Sequence, residues 1–148
     1  MNKINPEIRI EVTLTRHNGK PSGYQFRYTS DSGLVAPDGT IDLSNFGKDN
    51  VDLVFVLMAV GAMQPSFPPR PEDAVWFADW PKGAAPPPPC PDAPGLAHSS
   101  FSGFQVSNAS TLKFTDKNND NKRYTYALRC QVPGEAKPVV DDPIIINK

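Results

Sequence analysis

Two parts of this chain alternate apolar and polar residues with a period of two, the pattern of strands with one buried face. In the first, Ile8, Ile10, Val12 and Leu14 point one way while Arg9, Glu11, Thr13 and Thr15 point the other. His17-Asn-Gly-Lys-Pro-Ser-Gly23 follows with turn chemistry, because Asn-Gly and Gly supply positive φ at little cost. Tyr24, Phe26 and Tyr28 then alternate with Gln25, Arg27 and Thr29, so the spacing predicts an N-terminal hairpin. The second part covers residues 112–130. Leu112 and Phe114 precede an Asn/Asp-rich turn over 116–121, and Tyr124, Tyr126, Leu128 and Cys130 follow it. This too reads as a hairpin in an antiparallel sheet.

Between them, Pro37-Asp-Gly39 marks a turn into a short strand over 40–43. Residues 51–58 are continuously apolar after Asp52 and rich in β-branched side chains, which predicts a central strand covered on both sides. Strands resume over 105–107, 112–115, 123–131 and 139–147. About eight strands without a long helix or an internal repeat predict an all-β fold. The expected architecture is an antiparallel β-sandwich, immunoglobulin-like or cupredoxin-like, formed by residues 1–148 as a single domain.

Residues 64–95 break the pattern, for 11 of the 17 prolines fall there. Proline cannot donate to a ladder, so the stretch is no sheet interior. It reads as a long surface excursion whose aromatic residues plug onto the sandwich. A one- to two-turn helix is expected after Pro71-Glu-Asp, and a short polyproline II run over Pro86 to Pro89.

Charge removes some functions. Fifteen basic and 16 acidic residues are mixed along the chain, for a net charge of −1. No basic stripe exists to neutralise phosphates, so nucleic acid is not an expected partner. The longest apolar run, 53–63, falls well short of the ~20 residues that span a bilayer. The N-terminus shows no apolar leader, so a soluble, cytoplasmic protein is expected. Two cysteines are too few for a disulfide framework. Cys130 continues a buried face, whereas Cys90 sits among prolines and should be more exposed; a bridge between them is an alternative.

Phe101-Ser-Gly-Phe, Leu112-x-Phe-x-Asp116-x-Asn-x-Asp120, Tyr124-x-Tyr126-x-Leu128 and Asp142-Pro-Ile-Ile-Ile-Asn147 occur in that order. Together they resemble the small, uncharacterised bacterial β-sandwich proteins of the DP-EP family. The resemblance covers chiefly residues 100–148, with a looser echo over 51–57. It implies a β-sandwich and brings no activity with it. The proline-rich excursion is longer than the family leads one to expect.

Candidate sites are few. Asp116, Asn118 and Asp120 alternate as oxygen ligands in a calcium loop do. However, Asn121 stands where an EF-hand needs its glycine, and Ala127 where it needs its bidentate acid. The competing reading is a turn in which Asn and Asp accept left-handed geometry and bond their own backbone. If residues 132–137 turn a last hairpin, Tyr124 pairs near Ile144 and Asn121 near Asn147. Asn147 then joins Asp116, Asn118 and Asp120 in one polar cluster, the only place where calcium is expected. Trp76, Phe77 and Trp80, with Phe67 before them, form a candidate partner-binding surface if exposed and a core anchor if buried. Phe67-Pro-Pro-Arg-Pro71 also resembles ligands of polyproline-binding domains.

Other chemistry is thinly represented. Cys90, His98, His17 and Cys130 lack the paired short spacing of zinc or copper sites. A Cys90/His98/Asp arrangement contains the residue types of nucleophilic catalysis, but nothing beside Cys90 in sequence lowers a thiol pKa. The expected function is therefore non-enzymatic: an interaction or structural module using the 64–95 excursion or a sheet edge. Its partner would be a protein or a second copy. A calcium-binding module is the alternative, and a small hydrolase-type enzyme ranks last. One of the tyrosines at 124 and 126, which share a face, is expected to make a tyrosine corner, its hydroxyl reaching backbone nearby in a structural role.

Overall fold

Strand β1 (Glu7–Arg16) buries Ile8, Ile10, Val12 and Leu14, and β2 (Tyr24–Thr29) buries Tyr24, Phe26 and Tyr28, as their alternation predicts. They pair antiparallel, with Val12 opposite Tyr28 and Leu14 opposite Phe26. The structure, a computed structural model, describes residues 4–19, 23–61, 63–80 and 100–148. Cys90, His98 and the Pro86 to Pro89 run lie outside these residues.

Strand β4 (Val51–Met58) runs parallel to β1 and antiparallel to β7 (Thr111–Asp116), which in turn pairs with β6 (Phe101–Ser107). The first sheet is thus β2-β1-β4-β7-β6, with β4 at its centre. Burial corrects one detail of the expected central strand. Val51, Leu53, Phe55 and Leu57 face the core, while on the other face Val54 is buried, Asp52 and Val56 are half-buried and Met58 is exposed. The strand is flanked on both edges, fully covered on one face and partly covered on the other.

The second sheet is β3-β10-β8-β5, made of β3 (Ile41–Asp42), β10 (Ile144–Ile146), β8 (Arg123–Cys130) and β5 (Val75–Asp79). Strand β9 (Val139–Asp141) pairs with β8 as well. Cys130 meets Val139, Leu128 meets Asp141, and Thr125 meets Ile144, so β9 and β10 share one register on either side of Pro143. Tyr124 faces Ile145, one residue on from the expected partner, and this phase places both side chains in the core. The parallel pairs β1·β4 and β3·β10 make both sheets mixed rather than purely antiparallel, and the described residues form ten strands where about eight were expected. The fold is an all-β sandwich-like architecture.

Two expectations fail for topological reasons. Strands β7 and β8 are not a hairpin. β7 already has β4 and β6 on its two edges, so the chain leaves at Asp116 and crosses to the other sheet, where β8 lies between β10 and β5. Within the described residues, the expected excursion is also interrupted by regular structure. No proline falls between Pro71 and Pro81, and that interval forms a single helical turn, α1 (Pro71–Ala74), followed by β5 on the edge of the second sheet. Phe67 (1% exposed), Phe77 (7%) and Phe101 are core residues, and the Phe77 and Phe101 rings stack at 4.0 Å. Phe77 also meets Phe114 edge-on at 5.5 Å, and Phe55 packs on Tyr126 across the two sheets. No helix among the described residues is long and apolar enough to cross a membrane.

Candidate functional sites

The crossover from β7 to β8 builds the polar end. Asp116 closes β7 on its inward face and is fully buried. Its Oδ1 accepts the backbone N–H of Asn118 at 2.9 Å, and Asp120 Oδ1 accepts that of Lys122 at 3.0 Å. These are the Asx bonds expected of such a turn, with Asn118 and Asn121 in the left-handed region at φ 51° and 55°. The Asn118 amide donates to Lys48 O at 2.9 Å, while its Oδ1 accepts the Lys148 N–H at 2.9 Å. Asn147 arrives from β10, its own N–H bonded to Lys122 O.

The four residues named from the sequence therefore do meet. The Asn147 Nδ2 group donates to Asp116 Oδ1 at 2.9 Å and to Asp120 Oδ1 at 3.1 Å, placing one neutral amide between two carboxylates. Asp120 Oδ2 accepts from Ser100 Oγ and Tyr124 OH, so its acceptor capacity is filled. Ser100 and Tyr124 were missing from the sequence expectation; a Tyr four residues after an acid is not in itself a signal.

The two carboxylates behave in opposite ways. Burial raises the Asp116 pKa to about 7, opposed by the Asn118 N–H and Asn147 amide and reinforced by the Asp120 charge. Burial pushes Asp120 upward too, but hydrogen bonds from Ser100, Tyr124, Asn147 and Lys122 outweigh it and hold Asp120 below the usual range. Tyr124 is raised by burial and by its bond to Asp120. Two buried oxygens, Asp116 Oδ2 and Asn147 Oδ1, have no hydrogen-bond partner among the described residues. Covalent geometry keeps each within one functional group of the Asn147 amide nitrogen. A buried acceptor left unmet costs ~1–3 kcal/mol, and more when charged.

The aromatic surface does not form as expected. Burial removes Phe67 and Phe77 from any docking face, leaving Trp76 and Trp80 half-buried on the outside of the second sheet. The Arg129 guanidinium lies 3.6 Å from the Trp76 ring centre, and that of Arg123 lies 3.8 Å from Trp80. Trp76 Nε1 donates to Glu72 O at 2.7 Å. Thr125 and Ala127, between these stacks, are buried. The face is thus largely covered by its own side chains. The period of two placed Arg123 and Arg129 opposite the core, but their contact with tryptophan required the β5–β8 pairing.

Tyr126 OH donates to Gly39 O at 2.6 Å, an anchor across 87 residues rather than a corner to nearby backbone. Cys130 is a free, buried thiol, its pKa raised by burial and the nearby Asp141 charge. His17 is exposed and accepts the Gly19 N–H at 3.2 Å. No group of three or more His, Cys, Asp or Glu able to hold a metal occurs among the described residues.

Sequence reasoning also missed a groove. Strand β2 covers only Glu11–Arg16 of β1, leaving residues 7–10 paired with β4 alone among the described residues. Alternate residues of a strand turn their peptide groups to opposite neighbours. Pro6 O accepts Asp52 N on the β4 side and His17 N donates to Gly23 O on the β2 side, so Glu7 and Arg9 present their peptide groups to the open side. A groove of about 370 Å³ lies there, bounded by Glu7, Arg9, Glu11 and the residues 29–32.

These features define a β-sandwich-like protein with a buried polar end and, among the described residues, an open half-edge of β1 beside the end of β2. No protein-family model matches the chain, and no curated protein does either.

Proposed function

We propose that the protein is a non-enzymatic interaction module whose working surface is the open half of β1. The observation that carries this is the pair of peptide groups, Glu7 and Arg9, that have no strand partner among the described residues and face a groove beside the end of β2. Such an edge is completed by an extended segment adding a strand, with main-chain bonds giving affinity and side-chain pockets giving choice. Glu7, Glu11 and Asp31 surround a single cation, Arg9, which itself lies 4.0 Å from Glu11. The net negative rim favours a protein partner presenting an extended, lysine- or arginine-bearing segment.

The reading carries with it a cytoplasmic location and no nucleic-acid partner, the latter supported by a net charge of −1 without a basic stripe. Kinship with the bacterial DP-EP proteins is part of the same proposal and rests on the motif order over residues 100–148.

The test is an NMR titration of the intact chain with an extended Lys-containing peptide and its Glu-containing counterpart. Shifts confined to residues 7–11 and 29–32, for the basic peptide only and weakened by salt, are expected. Arg9→Pro removes an outward N–H while leaving the β4 ladder intact, and it should abolish the shifts without unfolding the protein. Resonances of the edge left unmoved by both peptides would remove the reading. Sizing at several concentrations tests the variant in which a second copy supplies the strand: a strict monomer removes it.

A further inference from the structure

The polar end has a chemistry that strand addition does not use. Two carboxylates converge on one amide that donates to both, and the other donors around them are hydroxyls and backbone N–H groups. Asp116, fully buried, keeps Oδ2 without a partner among the described residues, and Asn147, 2% exposed, keeps Oδ1 in the same state. The two acceptors share one cluster because Nδ2 of Asn147 touches Asp116 Oδ1. A donor or a cation is what both lack.

We propose that this end of the sandwich is a calcium site, in which the ion takes the place now held by the Asn147 amide hydrogens. A half-turn of the Asn147 carboxamide exchanges Nδ2 for Oδ1 and brings a third oxygen toward those of Asp116 and Asp120. Hard oxygen donors carrying two formal negative charges select calcium or magnesium over softer metals. Calcium is favoured because it accepts irregular geometry, whereas magnesium demands a near-ideal octahedron. Asp120 is only partly buried, so its side of the cluster supplies access and room for water ligands. The fixed backbone bonds of Asn118 and Lys122 hold the carboxylates in position without occupying the unmet oxygens.

The experiment uses the intact chain at a pH of about 8, where carboxylates are free to bind. Melting curves are recorded with chelator, with millimolar calcium and with millimolar magnesium. Terbium emission sensitised by tyrosine is read in parallel, since Tyr124 bonds Asp120 directly. A rise of several degrees with calcium, a smaller one with magnesium, and terbium emission displaced by calcium are expected. Asp116→Asn and Asn147→Ala should both lose the calcium-dependent rise. Should either variant fail to fold, terbium emission from the unaltered protein still decides. An unchanged melt in calcium without terbium emission would overturn the proposal, as would equal shifts with magnesium and in Asp116→Asn.

Discussion

Burial of Asp116 makes protein stability depend on pH in an unusual direction. The native carboxyl has a pKa of about 7 against 3.8 for the free group, chiefly through desolvation. A raised native pKa means that the folded state binds the proton more tightly. Its contribution is fully present below pH 3.8 and is lost as pH rises through about 7. At 1.36 kcal/mol per unit, the whole effect is ~4 kcal/mol, of which about 2.6 kcal/mol falls between pH 5 and 8. Asp120, held below its usual value, acts in the opposite sense, but its stabilisation is lost only as pH falls into the acid range. The two effects therefore occupy different windows. Urea unfolding followed by tryptophan fluorescence, with chelator present, should show the midpoint falling from pH 5 to pH 8. Asp116→Asn should flatten that slope and be more stable than the unaltered protein at pH 8, because its amide cannot ionise. A flat profile in the unaltered protein, or the same slope in Asp116→Asn, would refute the assignment.

Three further outcomes follow from the packing. Phe77→Ala should cost ~3–5 kcal/mol in urea unfolding, since its ring fills the junction of Phe101 and Phe114; a loss below about 1 kcal/mol would place the ring outside the core. Gly39→Ala should lower the melting temperature by several degrees. Gly39 sits at φ +92°, and an added Cβ would stand 2.7 Å from both Tyr28 and Pro143. The Cys130 thiol, buried and raised in pKa, should react with a thiol reagent only after unfolding; tryptic mapping of the modified peptide in native protein tests this.

The N-terminal hairpin was legible because its two faces alternate without interruption and its turn residues lie between them, so local pattern and topology agree. The same pattern misled over residues 112–130. Alternation reports which side chains of a strand are buried, and it was right for Leu112, Phe114, Tyr124 and Tyr126. It does not report which strand lies alongside, and a β7 already flanked by β4 and β6 had no edge left for β8. Proline counting failed by averaging: a dense cluster on either side concealed the proline-free interval that became β5. The open half of β1 was invisible because it depends on β2 being shorter than its partner, a property of pairing and not of either strand alone.

The polar end shows how far residue type can go toward function. Asp116 and Asp120 stand four apart in one turn, and sequence alone treats them as equivalent ligands. The crossover separates them. It carries Asp116 inward at the last position of a core strand, where one carboxylate oxygen finds no donor among the described residues, and leaves Asp120 at the rim with Ser100, Tyr124, Asn147 and the Lys122 N–H around it. Burial therefore dominates one acid and hydrogen bonding the other, so the first holds a proton in a range where the second is charged. A hairpin would have left both carboxylates at a solvated tip with ordinary acidity. The topological feature missed by the alternation pattern is thus the one that gives this end a buried, titratable carboxylate with one oxygen unmet among the described residues.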